Sequence, residues 1–391
     1  MISLGCRLNL SESETIRGLL AGEPDTVVIN SCAVTAEAVR QTRQAIRRVR
    51  RQRPDARLLV TGCAAEIERE AIAAMPEVDG LVANAAKLDP RAWNVPARPL
   101  PAASAFHTRA FVTVQNGCDH ACTFCVIPQG RGASRSLAVA DVLAEIDRHL
   151  DNGAPEVVLT GVDLTSWGHD LPGAPRLGSL VQAILDAFPA LRRLRLSSLD
   201  GIEIDGELFE LFAGEPRLMP HLHLSLQSGD DLVLKRMKRR HLRADAVGLV
   251  TRLKARRPDI SIGADLIAGF PTETDAMHAR NLSIIDELGI VHGHVFPYSP
   301  RPGTPAARMP QVPPQIIKAR AAQLRDATGR ARHKWLKGLI GQELIVLAER
   351  DGTGYAENFA RVALPDGTAP GTLITLTPAT LEDGLLKCLP K

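Results

Sequence analysis

Short apolar runs bounded by Gly, Pro and Asp alternate along the chain with segments whose apolar residues return every three or four positions, which predicts strands and helices in turn. Ile2 to Leu4, Thr26 to Asn30 and Leu58 to Thr61 read as strands, and Ala36 to Arg53 and Glu66 to Met75 as helices. The Pro-rich stretch Val95 to Pro101 can continue neither a helix nor a central strand, so it predicts a linker closing a first α/β domain over residues 1–103. Longer units follow over 104–331, with strands at Phe111 to Gln115, Glu156 to Thr160, Leu191 to Ser197, His221 to Leu226, Ile260 to Ile267 and Val291 to Phe296. Helical patterns separate them, as in Ala138 to Leu150, Leu180 to Phe188, Ala244 to Arg257 and Glu273 to Leu288. Parallel strands need crossover connections, and those are right-handed, so six such units predict a partial (β/α)6 barrel. A last helix runs from Pro313-Pro314 to about Lys334. Over 332–391 short runs such as Glu343 to Leu347 and Leu373 to Leu376, punctuated by Gly, predict a small β-barrel.

Composition narrows the class. The 391 residues are 45% apolar and 23% charged, near the globular average, which excludes coiled coil and wholesale disorder. No apolar run approaches the roughly 18 residues that span a bilayer, Asp265 interrupting the best stretch, and the N-terminus carries no basic-then-apolar leader. A cytoplasmic protein without a membrane partner is expected. A net charge of +3 does not announce nucleic acid, so any basic face must be local. Seven cysteines in a reducing compartment are thiols available to metals.

Cys118, Cys122 and Cys125 crowd one loop directly after the strand Phe111 to Gln115. A closed zinc site wants four ligands, usually as two Cys pairs, and no second pair exists. Three thiolates suit a 4Fe-4S cluster with one iron left open for a ligand. At this Cys-x3-Cys-x2-Cys spacing, with Phe124 just before the last Cys, the sequence resembles the radical S-adenosylmethionine (SAM) superfamily. That resemblance implies a partial parallel barrel, a cluster whose open iron chelates SAM, and reductive cleavage of SAM to a 5'-deoxyadenosyl radical. It also implies a one-electron donor such as flavodoxin or ferredoxin.

Cys6, Cys32 and Cys63 are distant in sequence, yet each follows a strand candidate, and strand ends of a parallel sheet share one edge. Read alone, three scattered cysteines suit a buried core as well as a ligand set. Their surroundings, Gly5-Cys6-Arg-Leu-Asn9, Asn30-Ser-Cys32-Ala-Val-Thr35 and Thr61-Gly62-Cys63-Ala, resemble the N-terminal motifs of the methylthiotransferase family. This resemblance covers essentially the whole chain, including a TRAM-like C-terminal domain, and implies two 4Fe-4S clusters, one to cleave SAM and one to hold the sulfur that is transferred. An unactivated C–H bond cannot be opened by acid-base chemistry at neutral pH, whereas a primary carbon radical can take its hydrogen. Cys388 stands alone and reads as an apolar filler.

The family places SAM contacts at strand ends of the barrel, which here match Gly161, Asp163, Ser197, Gln227 and Asp265, with Phe124 beside the cluster. Pro271-Thr272-Glu273-Thr274 stands where the family often has Pro-Gly-Glu-Thr. Members act on an adenosine beside the tRNA anticodon or on an aspartate of a ribosomal protein. Asn30 to Ala38 with Arg43 to Arg48 resembles the branch acting on N6-threonylcarbamoyladenosine at position 37, the isopentenyladenosine branch and the ribosomal-protein branch being the alternatives. The partner implied is the anticodon stem-loop of tRNA; the sulfur donor is not indicated. A zinc-stabilised RNA-binding protein is the alternative outside the enzymes. Arg40, Arg43, Arg47 and Arg50 share one helix face that can track phosphates or simply face solvent. Lys235 to His241 and Lys334 with Lys337 form two further basic groups, and Tyr355 and Phe359 are the tail's aromatics, available for stacking or for its core.

Overall fold

The structure is a computed structural model describing residues 1–96 and 108–388. Most of the expected linker, and the boundary near residue 103, lie outside the described residues.

The N-terminal sheet is parallel, ordered β1-β2-β3-β4, from β1 (Ile2–Ser3), β2 (Thr26–Ser31), β3 (Arg57–Gly62) and β4 (Gly80–Leu81). β2 and β3 are almost continuously buried, as parallel strands covered on both faces must be. Ile29, Leu58 and Val60 pack with Val39 and Ile46 of α2 (Ala36–Gln52), whereas Val28 and Leu59 meet Ile16 of α1 (Arg7–Leu19) and Trp93. The helix expected at Glu66 to Met75 is instead two short ones, α3 (Cys63–Ile67) and α4 (Arg69–Ala73). The break falls at Glu68, whose backbone leaves the helical region (φ −114°, ψ 38°) and whose carboxylate pairs with Arg43 and Arg301 at 2.7 and 3.3 Å. Periodicity does not see such distant partners.

After β5 (Ala110–Thr113) the chain forms β6 (Gln115–Asn116), α5 (Ile127–Arg131) and β7 (Arg135–Ser136), a small hairpin-like pair framing the cysteine loop. Crossover units then run through α6 (Val139–Asp151), β8 (Val157–Thr160), α7 (Leu177–Ala187), β9 (Leu194–Leu196), α8 (Gly206–Gly214) and β10 (His221–Gln227). They end with α9 (Asp231–Arg236), α10 (Arg243–Arg256), β11 (Ser261–Ala268), α11 (Asp275–Leu288) and β12 (Ile290–Pro297). β5-β8-β9 and β10-β11-β12 are parallel sheets linked by a bridge between Leu199 and Leu224, which gives a six-stranded partial barrel. In β10, Leu222, Leu224 and Leu226 enter the apolar core shared with the helices, so His221, His223, Ser225 and Gln227 face the lumen.

The N-terminal domain stands along the open side between β5 and β12. Ser11 Oγ on α1 donates to the Phe111 carbonyl at 3.0 Å, and beyond β12 the Ser299 hydroxyl accepts from the Ala36 amide at 3.2 Å. α12 (Pro314–Gly338) then leads to a six-stranded sheet of β13 (Leu344–Ala348), β14 (Thr353–Ala356), β15 (Arg361–Ala363), β16 (Leu373–Leu376), β17 (Thr380–Glu382) and β18 (Leu385–Lys387), whose core takes in Leu336 and Leu339. The β14–β15 turn plugs the barrel floor. Arg195 donates to the Ala356 and Glu357 carbonyls at 2.8 and 2.7 Å, and Ser261 Oγ to that of Asn358 at 2.7 Å. Phe359 lies under the Arg195 guanidinium, 4.2 Å from ring centroid to Cζ.

Candidate functional site

The loop 118–125 is launched by Gly117, whose φ of +77° and contact with the Ala133 carbonyl leave no room for a Cβ. Its backbone turns amides onto sulfur: His120 N–H points at Cys118 Sγ and Ile127 N–H at Cys125 Sγ, both at 3.4 Å. Arg239 Nη1 lies 3.8 Å from Cys122 Sγ. Burial pushes the Cys118 thiol up to about 12 and the Cys125 thiol up to about 11, each further raised by its cysteine neighbours. Such a pocket favours neutral thiols until a multivalent cation compensates three negative charges, so it suits an iron cluster, which binds with loss of the thiol protons.

The second group is assembled by topology. Cys6 precedes α1, Cys32 follows β2 and Cys63 opens α3 directly after β3, so the parallel register brings the three to one sheet edge. Two glycines allow the approach: a Cβ on Gly5 (φ +97°) would lie 2.6 Å from Cys32 Cβ, and one on Gly62 (φ +92°) would enter the Ser31 carbonyl. Burial raises the Cys32 thiol to about 11 and also raises that of Cys63. Beside them lies a buried ion triad. Glu12 accepts a bidentate pair from Arg131 at 2.9 and 3.1 Å and an ion pair from Lys87 at 2.6 Å, and Arg131 also donates to Asn116 Oδ1 at 2.8 Å and to Asn9 Oδ1. Burial would raise the Glu12 carboxyl, but the two cations hold it below its usual range. Both cations act electrostatically on Cys63.

The two groups are neighbours. Gly130 of α5 sits against Cys63, where a Cβ would be 3.3 Å from Cys63 Cβ, and Asn84 Nδ2 donates to the Gly130 carbonyl at 2.5 Å. Cys63 is near enough to act on the Cys125 charge. Six thiols from two domains therefore gather at the join between them.

Around the lumen, Gly161 and Asp163 follow β8, Ser197 follows β9, and Gln227 ends β10 with φ +68°. The Ser197 hydroxyl is buried with no hydrogen-bond partner among the described residues, as expected of a group awaiting a ligand. Asp163 Oδ2 is 3.8 Å from Cys118 Sγ and 2.7 Å from His120 Nε2. Burial would raise Asp163, but hydrogen bonds from His120 and Ser166 keep it below the ordinary carboxylate range. Phe124 packs edge-on against Phe270 at 6.4 Å, joining a small apolar cluster. Asp265 departs from expectation: β11 continues three residues beyond it, so it lies within the strand rather than at its end, held by His223 at 3.1 Å and His294 at 3.2 Å. Those two histidines were not foreseen, although the alternation in His221 to Gln227 already places His223 opposite the leucines. Thr272 occupies the left-handed conformation (φ +67°), the geometry that explains a glycine at this position in the family.

Acidic partners reach into two of the three basic groups. On α2, Arg40, Arg43, Arg47 and Arg50 are engaged by Glu37, Glu68, Glu77 and Asp79, so this is an ion-paired face. Within Lys235 to His241, Arg239 and Arg240 turn to Asp200 and Glu203. Tyr355 and Phe359 pack edge-to-face at the barrel floor, 5.3 Å between centroids. The third group stands clear: exposed Arg330, His333 and Lys334 line a groove of about 580 Å³ along α12.

The Radical SAM superfamily matches residues 112–282 and Uncharacterized protein family UPF0004 matches 1–83. The chain is 43% identical to the threonylcarbamoyladenosine tRNA methylthiotransferase MtaB of Rickettsia prowazekii, over 100% of this chain and 96% of that protein. The MtaB of Thermotoga maritima is 34% identical over 99% and 95%, and the tRNA-2-methylthio-N(6)-dimethylallyladenosine synthase of Cereibacter sphaeroides 34% over 95% and 93%. Among solved structures, the radical SAM methyltransferase TsrM of Kitasatospora setae shares the fold, with a TM-score of 0.55 at 16% identity over 77% of this chain and 69% of that one.

Proposed function

The chain belongs to the radical SAM methylthiotransferases, and from that premise we propose that it attaches a methylthio group to C2 of N6-threonylcarbamoyladenosine at position 37 of tRNA. The observation that carries this reading is the meeting of two three-thiol groups at one interdomain join. One such group suffices for a radical SAM enzyme, while transfer of sulfur calls for a second cluster facing the same substrate. Cys118, Cys122 and Cys125 would hold the first 4Fe-4S cluster in a domain over 104–331 and Cys6, Cys32 and Cys63 the other in a domain over 1–103, with 332–391 as the third domain. When bound, SAM and the two clusters supply the hydrogen abstraction and the sulfur; the protein supplies position and dryness.

Its own residues divide that work. Asp163, Gly161, Ser197, Gln227 and Asp265 line the lumen where SAM would lie, Phe124 backs the first cluster, and the floor sealed by the β14–β15 turn keeps water from entering below. Exposed Arg330, His333, Lys334 and Lys337 on α12 offer the anticodon stem-loop a phosphate-binding face. The substrate base follows the threonylcarbamoyladenosine enzyme, the 43% relative, rather than the dimethylallyladenosine enzyme at 34%. Nucleoside mass spectrometry of tRNA from a deletion strain tests it: loss of 2-methylthio-N6-threonylcarbamoyladenosine, restored by the gene, is expected. Loss of the 2-methylthio-isopentenyl nucleoside instead, or a change confined to a ribosomal protein, overturns it.

A further inference from the structure

The cysteine loop comes near the outer surface at a place the reaction above leaves unused. α9 and the turn after it pack directly on this loop: the Met237 carbonyl accepts from Thr123 N–H at 3.1 Å and the Arg236 carbonyl from Thr123 Oγ at 2.8 Å. Arg239, beside Cys122 Sγ, is fixed by the Ser225 carbonyl at 2.8 Å and Asp200 at 3.0 Å. It also lines an open groove of about 340 Å³, with Leu232, Lys235, Arg240 and Leu242. One side chain thus spans from a cluster-loop sulfur to the surface groove.

The groove is positive toward solvent. Asp200 and Glu203, which pair with Arg239 and Arg240, have side chains only 3% and 8% exposed, so their charge is covered. The Arg240 side chain is 44% exposed, and Lys235 and Lys238 are exposed with no partner among the described residues. Asp231 is the exposed acid in the lining and accepts from the Arg243 amide at 2.6 Å, so the cations outnumber it. Leu232 and Leu242 stand 45% and 53% exposed. A small apolar patch ringed by cations is a complement for an acidic protein surface.

We propose that this groove docks an acidic one-electron carrier protein of the flavodoxin or ferredoxin class, which delivers the electron for SAM cleavage; this rests on the function proposed above. One electron leaves the reduced carrier, which is thereby oxidised, and enters the cluster on Cys118, Cys122 and Cys125; no bond to the carrier forms. RNA phosphates also favour cations, but His241, the ring among the described lining residues, is only 5% exposed and turned to the Leu226 carbonyl, which leaves it no open face for base stacking, while two leucines stand exposed in the groove.

The test uses reconstituted full-length enzyme carrying Lys235→Glu with Lys238→Glu, and separately Leu242→Ser. The probe is flavodoxin kept reduced by NADPH and its reductase. Flavodoxin affinity and the rate at which the reduced-cluster EPR signal appears should each fall about tenfold or more, while SAM cleavage driven by dithionite and affinity for tRNA stay unchanged. Unaltered flavodoxin affinity and reduction rate, with dithionite cleavage intact, overturn the docking site. Weakened tRNA binding with normal flavodoxin reduction reassigns the groove to RNA. Absence of dithionite-driven cleavage in the unmutated enzyme overturns the parent function instead. Should the charge reversals lose iron, Lys235→Gln with Lys238→Gln provides the same reading with a smaller decrease.

Discussion

Cys118, Cys122 and Cys125 lie within eight consecutive residues of one loop, whereas Cys6, Cys32 and Cys63 come from the ends of separate strands. The first group is held by its own backbone, through amides turned onto sulfur and one glycine that permits the turn. The second exists only while a sheet is in register and while Arg131, from the neighbouring domain, stays bound to Glu12. A local site depends on a loop. An assembled site depends on a fold and on a domain contact, so it is the more fragile of the two.

The sharpest separation comes from removing one thiol at a time. Cys122→Ala should cost about four of about eight irons per chain and abolish SAM cleavage, whereas Cys32→Ala should cost about four irons yet leave cleavage to 5'-deoxyadenosine; iron analysis with product chromatography checks both. Should Cys32→Ala stop cleavage as well, the two groups are not independent.

Arg131→Met comes next. It leaves Glu12 with Lys87 and a 3.4 Å contact from Asn116 Nδ2, and strands the Asn9 amide oxygen, while Asn116 Oδ1 keeps the Gly117 amide at 2.9 Å; breaking a buried pair costs about 3–5 kcal/mol. Because Lys87 remains, a loss near the lower end, about 3 kcal/mol, is expected in denaturant unfolding, with iron lost selectively from the N-terminal group. Equal iron loss from both groups would remove the asymmetry argued above.

Asp265→Asn is a control acting on the barrel wall and neither thiol group. Burial would raise this carboxyl, but His223 and His294 hold it down to about 2. Its contribution is therefore present above the unfolded value near 4 and lost as pH falls from there toward 2, an order-of-magnitude 2 kcal/mol. The variant should be less stable at neutral pH, show a flatter acid limb and keep its full iron. Smallest of all, Thr272→Gly should stabilise by up to about 1 kcal/mol by relieving a left-handed β-branched residue, partly offset by glycine's entropy; thermal unfolding reads it.

This same contrast explains what was legible in the sequence. The loop cysteines announce themselves because spacing is local chemistry, and the alternating strands gave the partial barrel because period follows burial. Cys6, Cys32 and Cys63 could be grouped only through their neighbours. Lys87 and Arg131 gave no signal, because their common partner Glu12 is 75 and 119 residues away. For the same reason Arg43 and Arg50 looked like free cations: their acids sit on other segments. Asp265 was placed at a strand end by the family's pattern, although the strand read from the sequence, Ile260 to Ile267, already ran past it; Gly263 lies under the His223 ring, where a Cβ would collide.

The turn between β14 and β15 has a mechanical consequence. Arg193 and Arg195 rise from the barrel floor and share Glu156, yet their remaining donors end on carbonyls of Ile345, Tyr355, Ala356 and Glu357. The C-terminal sheet is thus a keystone and not an appendage on a tether. Whatever tugs on its outer strands is transmitted through guanidinium struts to the wall of the reaction chamber, and a chain cut before residue 344 would open that floor to water and leave Arg193 and Arg195 with Glu156 alone.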